Sequence, residues 1–333
     1  MAVSIKDVAA RSGVSIATVS HVLNGTRGTR PATRDRVLLA IEELGYSLNQ
    51  AARNLARGRS SLLGLIISDI RNPFFPEITS EFQDLALDHD MDAVVLNTNY
   101  DSARTLNAVR RLIGMQVAGV AILTSQMEPA AFDLLPQGGV ASVFLDLGRV
   151  DRNISNIAID YEQGIGAALA HLAALGHNRI GYIGGPLHLP SVARRKRAFL
   201  AMVVQLGLQP CGVADADFTV RGGYSACSAI LSNGQRPTAI VAGNDLTAIG
   251  VMHSAWNAGL RLPDELSVVG FDDIVFSKYT QPALTTVAVP RREIGALAFD
   301  ALLAMINDPE HAGREYRVET RLVTRQSAME NRG

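Results

Sequence analysis

Between residues 8 and 25 the chain reads VAARSGVSIATVSHVLNG, and its small, hydroxyl and apolar residues recur on a helical period. Two short helices can cross closely only where the first presents a small side chain. The turn between them needs a residue tolerant of positive φ, and the second helix needs an apolar anchor on its inner face. Ala9-x3-Gly13-x5-Val19 supplies all three. It predicts a helix-turn-helix, whose second helix can enter the major groove of a DNA duplex. An ordinary αα-corner in a core would share the pattern, but charge argues for the first reading. Residues 1–60 hold nine Lys and Arg against four acids, a net +5, and the rest of the chain is −6. A basic head on an acidic body suits a polyanionic partner.

Other chemistry is sparse. The two cysteines, Cys211 and Cys227, exclude a disulfide scaffold and fit a reducing compartment. Their spacing matches no zinc motif, and His171 and His177 are wrongly spaced for one helical face, so neither a metal nor a cofactor is expected. GYIGGP places Gly181, Gly184 and Gly185 outside the dinucleotide-binding spacing, and neither a P-loop nor a G-x-S-x-G elbow occurs. An enzyme is therefore not expected. Phe74 and Phe75, after Asp69 and Pro73, could stack on sugar C–H faces or on a base; core packing of one of them is the plainer alternative. Arg194, Arg195, Lys196 and Arg197 form a basic run near an expected helix start, a place that favours anions.

The elements that must position these residues can be read from periodicity. Ser4 and Asp7 suit a helix over 4–12, and Ser15 one to Leu23 with Val19, Val22 and Leu23 inward. A third helix, 33–45, has Val37, Leu38, Ile41 and Leu44 as its expected stripe. Residues 49–57, NQAARNLAR, form a short helical pattern that needs a partner. From residue 62, strands alternate with amphipathic helices. The strands fall at 62–68, 92–97, 119–123, 140–146, 179–184, 238–243 and 266–273, and the helices at 77–90, 103–115, 161–175, 193–206, 245–258 and 292–306. That alternation predicts parallel sheets covered on both faces, and this many strands predicts two of them. No apolar run approaches a membrane span, and MAVSIKDVAARSG lacks the plan of a signal peptide; a cytoplasmic protein is expected.

IKDVAARSGVSIATVSHVLNG, the TR at 33–34, ELGY at 43–46 and NQAARNLARG at 49–58 resemble the lactose-repressor (LacI/GalR) family of transcription regulators. The resemblance continues through NPFFPEI, GHNRIGYIGGP, NDLTAIG, LPDELSVVGFDD and PALTTVAVPRREIG. It implies an all-α head at 1–48, a hinge helix and linker at 49–61, and an α/β effector and dimerisation domain at 62–333. The latter would have two doubly wound lobes like a type I periplasmic binding protein: an N-lobe of about 62–158 plus 289–318, and a C-lobe of 159–288 plus 319–333. Ile16, Ala17 and His21 would face bases, Arg27 a guanine, and Ser15, Thr18, Ser20, Asn24 and Tyr46 phosphates. Leu55 would wedge into the minor groove. Paired hinges would require a homodimer, or a higher assembly, on a pseudopalindromic operator in double-stranded DNA.

For the effector, the resemblance points to Arg195, Asn244 and Asp272. Asp146 and Ser125 follow strands, and Asp160 would orient Arg195 or meet the ligand. Such groups supply the donors and acceptors a polyol needs. Val289 stands where many relatives carry Gln. The expected function is an effector-controlled repressor of sugar catabolism or transport genes. A purine- or sugar-acid-responsive regulator is the alternative, and a sugar-transport binding protein a remote one.

Overall fold

Ser4 starts the first helix with a reciprocal cap. Its backbone N–H and its hydroxyl both donate to Asp7 Oδ2, at 2.8 and 2.7 Å. These bonds hold the Asp7 carboxyl below the usual carboxylate range. In the computed structural model the described residues are 3–24, 28–46, 60–124, 126–233, 236–308 and 310–331. They fall into two units, 1–60 and 61–333.

The first unit holds α1 (Ile5–Ser12), α2 (Ile16–Asn24) and α3 (Pro31–Leu44). Gly13 ends α1 at φ 66°, a left-handed turn that glycine adopts without strain. Ser15 Oγ accepts the Thr18 N–H at 3.1 Å and starts α2. Val8, Ala9, Val19, Val37 and Ala40 form the buried core, ringed by Ile5, Val14, Val22, Leu23, Ile41, Leu44 and Tyr46. Leu38 departs from the expected stripe. The inward face of α3 is Val37, Ala40, Ile41 and Leu44, at i, i+3, i+4 and i+7, which turns Leu38 out to solvent.

The second unit contains two six-stranded sheets. The first comprises β1 (Leu62–Ile67), β2 (Asp92–Asn97), β3 (Gly119–Leu123), β4 (Ala141–Leu145), β5 (Ile154–Ile159) and β11 (Glu315–Val318), ordered β11-β5-β4-β3-β1-β2 and parallel throughout. The second comprises β6 (Arg179–Ile183), β7 (Gln209–Ala214), β8 (Ala239–Ala242), β9 (Ser267–Asp272), β10 (Thr285–Ala288) and β12 (Arg321–Val323), ordered β12-β10-β9-β8-β6-β7. Only β12 runs antiparallel.

The helices are α4 (Phe74–Asp88), α5 (Ser102–Gly114), α6 (Pro129–Gln137), α7 (Tyr161–Ala174), α8 (Pro190–Gln205), α9 (Val220–Ser232), α10 (Asp245–Asn257) and α11 (Arg291–Asn307). The chain crosses between the sheets after β5, after β10 and after β11. All seven strands expected from sequence are present; β5, β7, β10, β11, β12, α6 and α9 were not expected. Among the described residues no helix is long and apolar enough to cross a membrane.

Helices α9 and α10 lie so close that a Cβ on Gly250 would sit 2.1 Å from the Val220 carbonyl oxygen. That neighbour is backbone and cannot swing aside. Gly166, inside α7, has only the Met202 side chain at 3.6 Å or more from its added Cβ. Calorimetric unfolding should therefore separate the two. Gly250→Ala is expected to destabilise by about 3 kcal/mol, whereas Gly166→Ala is expected to stabilise by roughly 0.5–1 kcal/mol. Equal effects would contradict the packing argument.

Candidate functional site

The carboxyl ends of the two parallel sheets face each other across a small cavity of about 50 Å³. Crevices at these strand ends are where open α/β sheets bind ligands. The first sheet and its loops supply Ser68, Asn72, Phe74, Phe75, Tyr100, Leu123, Leu145, Asp146 and Ile159; the second supplies Ser191, Arg195, Phe218, Asn244 and Asp272; Tyr161, after β5, and Val289, after β10, stand where the chain crosses between the sheets. The volume is well below the roughly 300–1,000 Å³ of ordinary ligand pockets. The lobes are closed, and a ligand of monosaccharide size needs them to part.

Arg195 lies at the centre. It is 8% exposed, and its guanidinium carbon sits 4.6 Å from the Tyr161 ring centroid, 4.9 Å from Phe271 and 5.4 Å from Phe218. One amino group donates to the Gly243 carbonyl, while the buried Nε has no partner. Asp272 lies beside it, buried, and no described residue hydrogen-bonds its carboxylate. Desolvation raises the Asp272 carboxyl to about 8, with nearby Arg195 opposing the shift and Asp245 adding to it. Burial thus favours the protonated carboxyl, which can both donate and accept.

Neighbouring groups fix these two. Asn244 caps α10, accepting the Thr247 N–H at 2.9 Å, and its amide donates to the Phe218 carbonyl at 3.3 Å. Asp245 is fully buried and accepts from Ile274 N, Ser277 Oγ and Thr286 Oγ1, at 2.7, 2.6 and 2.5 Å. It ties the loop after Asp272 to α10, and burial raises its carboxyl to about 6. Arg291 grips Glu77 with Nε and Nη2, at 3.0 and 3.3 Å, and donates to the Asp272 carbonyl from Nη1.

The sequence candidates separate accordingly. Phe74, Phe75, Asp146, Arg195, Asn244 and Asp272 are brought together at the cavity. Asp146, however, is already engaged: it accepts from Ile159 N at 3.0 Å, Tyr161 Oη at 2.5 Å and Arg194 Nη1 at 3.2 Å. It bolts one lobe to the other and has little capacity left for ligand. Asp160 stands apart from the cavity. Its carboxylate caps α7 by accepting the Gln163 N–H at 2.9 Å, because an acid preceding a helix satisfies a free N–H there. It neither orients Arg195 nor lines the site.

The basic run also disperses. Arg194 pairs with Asp146 and Glu162, Lys196 pairs with Asp215, and Arg197 is exposed. Of the four, only Arg195 lines the cavity, with Asp272 next to it. Ser125 lies outside the described residues. Tyr161, Tyr100, Phe218, Asn72, Ser68 and Ser191 line the cavity without having been anticipated.

In the first unit, α2 presents Ile16, 44% exposed, and Ala17 to solvent, while Val19 is fully buried behind them. Thr18, Ser20 and His21 are half-buried on that helix. Ser15 and Thr18 share a hydroxyl hydrogen bond at 2.9 Å. Tyr46 packs against the three-helix core. The Asn24 side chain, Arg27 and Leu55 lie outside the described residues.

Comparison with known proteins agrees with both units. Residues 4–49 match the model for bacterial regulatory proteins of the lacI family, and residues 169–328 match a periplasmic binding protein-like domain. Catabolite control protein A of Priestia megaterium is 32% identical over 332 residues, which cover 98% of this chain and 100% of that protein. The chain belongs to the LacI family. It is a DNA-binding transcriptional regulator with a helix-turn-helix head and a two-lobed effector domain.

Among solved structures of the LacI family, a lac repressor dimer bound to operator and the anti-inducer ONPF superposes with a TM-score of 0.86 at 28% identity, covering 99% of this chain and 100% of that one. A LacI family regulator from Enterococcus faecium with bound ribose gives 0.73 at 27% identity, covering 81% of this chain and 99% of that one.

The raised acids set the pH dependence. Asp272 binds its proton more tightly folded, at about 8, than at its ordinary 3.8. Its contribution is fully present below about pH 4 and is lost as pH rises through 8. Unfolding measured across this window should show stability falling. Asp272→Asn should flatten the upper part of the curve, leaving the fall from Asp245, whose carboxyl is at about 6. An unchanged curve in the variant would contradict a protonated Asp272.

Proposed function

We propose that this chain is a cytoplasmic, dimeric repressor of genes for sugar uptake or breakdown, controlled by a small sugar-like effector and without turnover of that effector. The observation that carries the reading is the buried Arg195–Asp272 pair, with an unpartnered Nε and an unbonded carboxyl, inside an aromatic-walled cavity. A guanidinium donor and a neutral acid side by side match vicinal hydroxyls. Phe74 and Phe75, edge to face at 5.1 Å, offer a ring surface for C–H groups. Asn244 completes the polar set. The ribose-bound neighbour is consistent with this class of ligand.

At the head, Ile16, Ala17 and His21 face bases from α2, with Arg27 reading a guanine. Ser15, Thr18, Ser20, Asn24 and Tyr46 contact phosphates, and Leu55 wedges the minor groove from the hinge at 49–61. Ile16 offers a thymine methyl contact and no hydrogen bond. Self-association is supported by a groove of about 680 Å³ in the second lobe, lined by Met252, Trp256, Leu260 and Leu262. Trp256, Phe276 and Tyr279 are exposed in this lobe.

Selection from random duplexes with the full-length protein tests the DNA reading. Enrichment of an inverted repeat is expected, with binding weakened steeply by salt. His21→Ala should relax preference at one base pair per half-site by about 1–3 kcal/mol and leave the melting temperature unchanged. Recovery of unstructured sequences without a two-fold repeat would overturn the dimeric operator reading.

A further inference from the structure

The two sides of the cavity differ in kind. The second lobe carries the groups with spare hydrogen-bonding capacity, Arg195 and Asp272. Opposite them lies a wall of buried aliphatic and aromatic side chains: Leu123, Leu145 and Ile159 at the ends of β3, β4 and β5 of the first sheet, Phe75 at the start of α4, and Val289 in the segment that leaves β10 of the second sheet. The polar groups on this side each have at least one partner within the protein. Ser68 Oγ donates to the Leu123 carbonyl at 3.3 Å, and Asn72 Oδ1 accepts the Phe74 N–H at 3.1 Å. The Tyr100 hydroxyl is bonded to Asn72, and Asp146 is held by Ile159, Tyr161 and Arg194.

A hydroxyl pressed against such a wall loses its bonds to water and gains none in return. A methyl or methylene group there loses nothing and buries apolar surface. We propose that the effector is amphipathic: a small sugar whose hydroxyl-bearing edge meets Arg195 and Asp272, and whose opposite edge is a deoxy or C-methyl edge seated on Leu123, Leu145, Ile159 and Val289. The inference rests on the reading of the cleft as a polyol site and narrows it. Val289 is the position that decides it. A branched hydrocarbon there leaves the hydroxymethyl arm of an ordinary hexose unpaired, whereas an amide would pair it.

The test is calorimetric titration of the full-length protein with matched sugars differing only in that arm. The pairs are D-fucose against D-galactose, L-rhamnose against L-mannose, and D-quinovose against D-glucose. In at least one pair the deoxy sugar should bind at least about tenfold tighter than its parent, the factor set by one buried unpaired hydroxyl. Arg195→Ala should abolish that binding. Val289→Gln should reduce the deoxy preference by about tenfold.

If every parent that binds does so as tightly as its deoxy partner, or more tightly, the apolar-edge inference is overturned while the polyol reading of the cleft stands. A deoxy preference that Val289→Gln leaves untouched overturns the role given to Val289 and to this wall. If no sugar of any pair binds, the polyol reading itself falls, and the inference with it.

Discussion

A guanidinium taken out of water must be given other partners, and the second lobe is arranged around that need. Arg195 is ringed by Tyr161, Phe218 and Phe271, whose π faces attract a cation, and donates to the Gly243 carbonyl. Each ring comes from a different element. Tyr161 opens α7, Phe271 lies in β9, and Phe218 precedes α9. Displacing any of them would leave the charge less compensated. Two of these rings, Tyr161 and Phe218, also line the cavity, and the Arg195 Nε is left over for a ligand.

The same groups connect the lobes. Tyr161 donates to Asp146, which belongs to the first lobe, and Arg194, next to Arg195 on α8, reaches the same carboxylate. On the other side Arg291 bridges Glu77 of α4 and the Asp272 carbonyl. Closing therefore assembles two polar bridges at the moment it encloses the ligand. A ligand that binds better to the closed form shifts the population of lobes toward it, by no more than its difference in affinity for the two forms. Through the Arg291–Glu77 pair, a small molecule in the cleft can be felt in the first turn of α4.

Sequence periodicity exposed the parts of the fold with strong local signals. The central strands β1, β3, β4, β6, β8 and β9 are buried, mostly aliphatic runs, and the head was legible from Ala9, Gly13 and Val19 together with the basic charge of residues 1–60. The missed strands had weaker signals. β7 reads QPCGVA, with Pro210 and Gly212 inside it, and survives because it lies at a sheet edge. β10 and β12 are four and three residues long and depend on neighbours supplied from distant sequence.

At the site, Arg195, Asn244 and Asp272 were indicated by resemblance, yet their roles depend on partners no local pattern reveals. In the structure Asp146 and Asp160 each directly follow a strand, β4 and β5, and the second of these strands was not expected from sequence. One is spent across the lobes and the other on a helix N-terminus. Tyr161 carried no signal, because its importance comes from the cation above its ring.

The backbone at the site shows what this arrangement sustains. Asp272 adopts φ 112°, a region that side-chain-bearing residues rarely enter and that costs on the order of 1–3 kcal/mol. Such a conformation persists only where its surroundings over-determine it. Here Asp245 holds the Ile274 N–H two residues on, and Arg291 holds the carbonyl of Asp272 itself. The peptide is thus pinned toward the first lobe while the side chain is free to enter the cavity. Glycine would relieve the strain but remove the carboxyl, and an ordinary β conformation would turn the carboxyl away. The strained acid, its buried support in Asp245 and the bridge through Arg291 are one device, joining ligand recognition to lobe closure at a single residue.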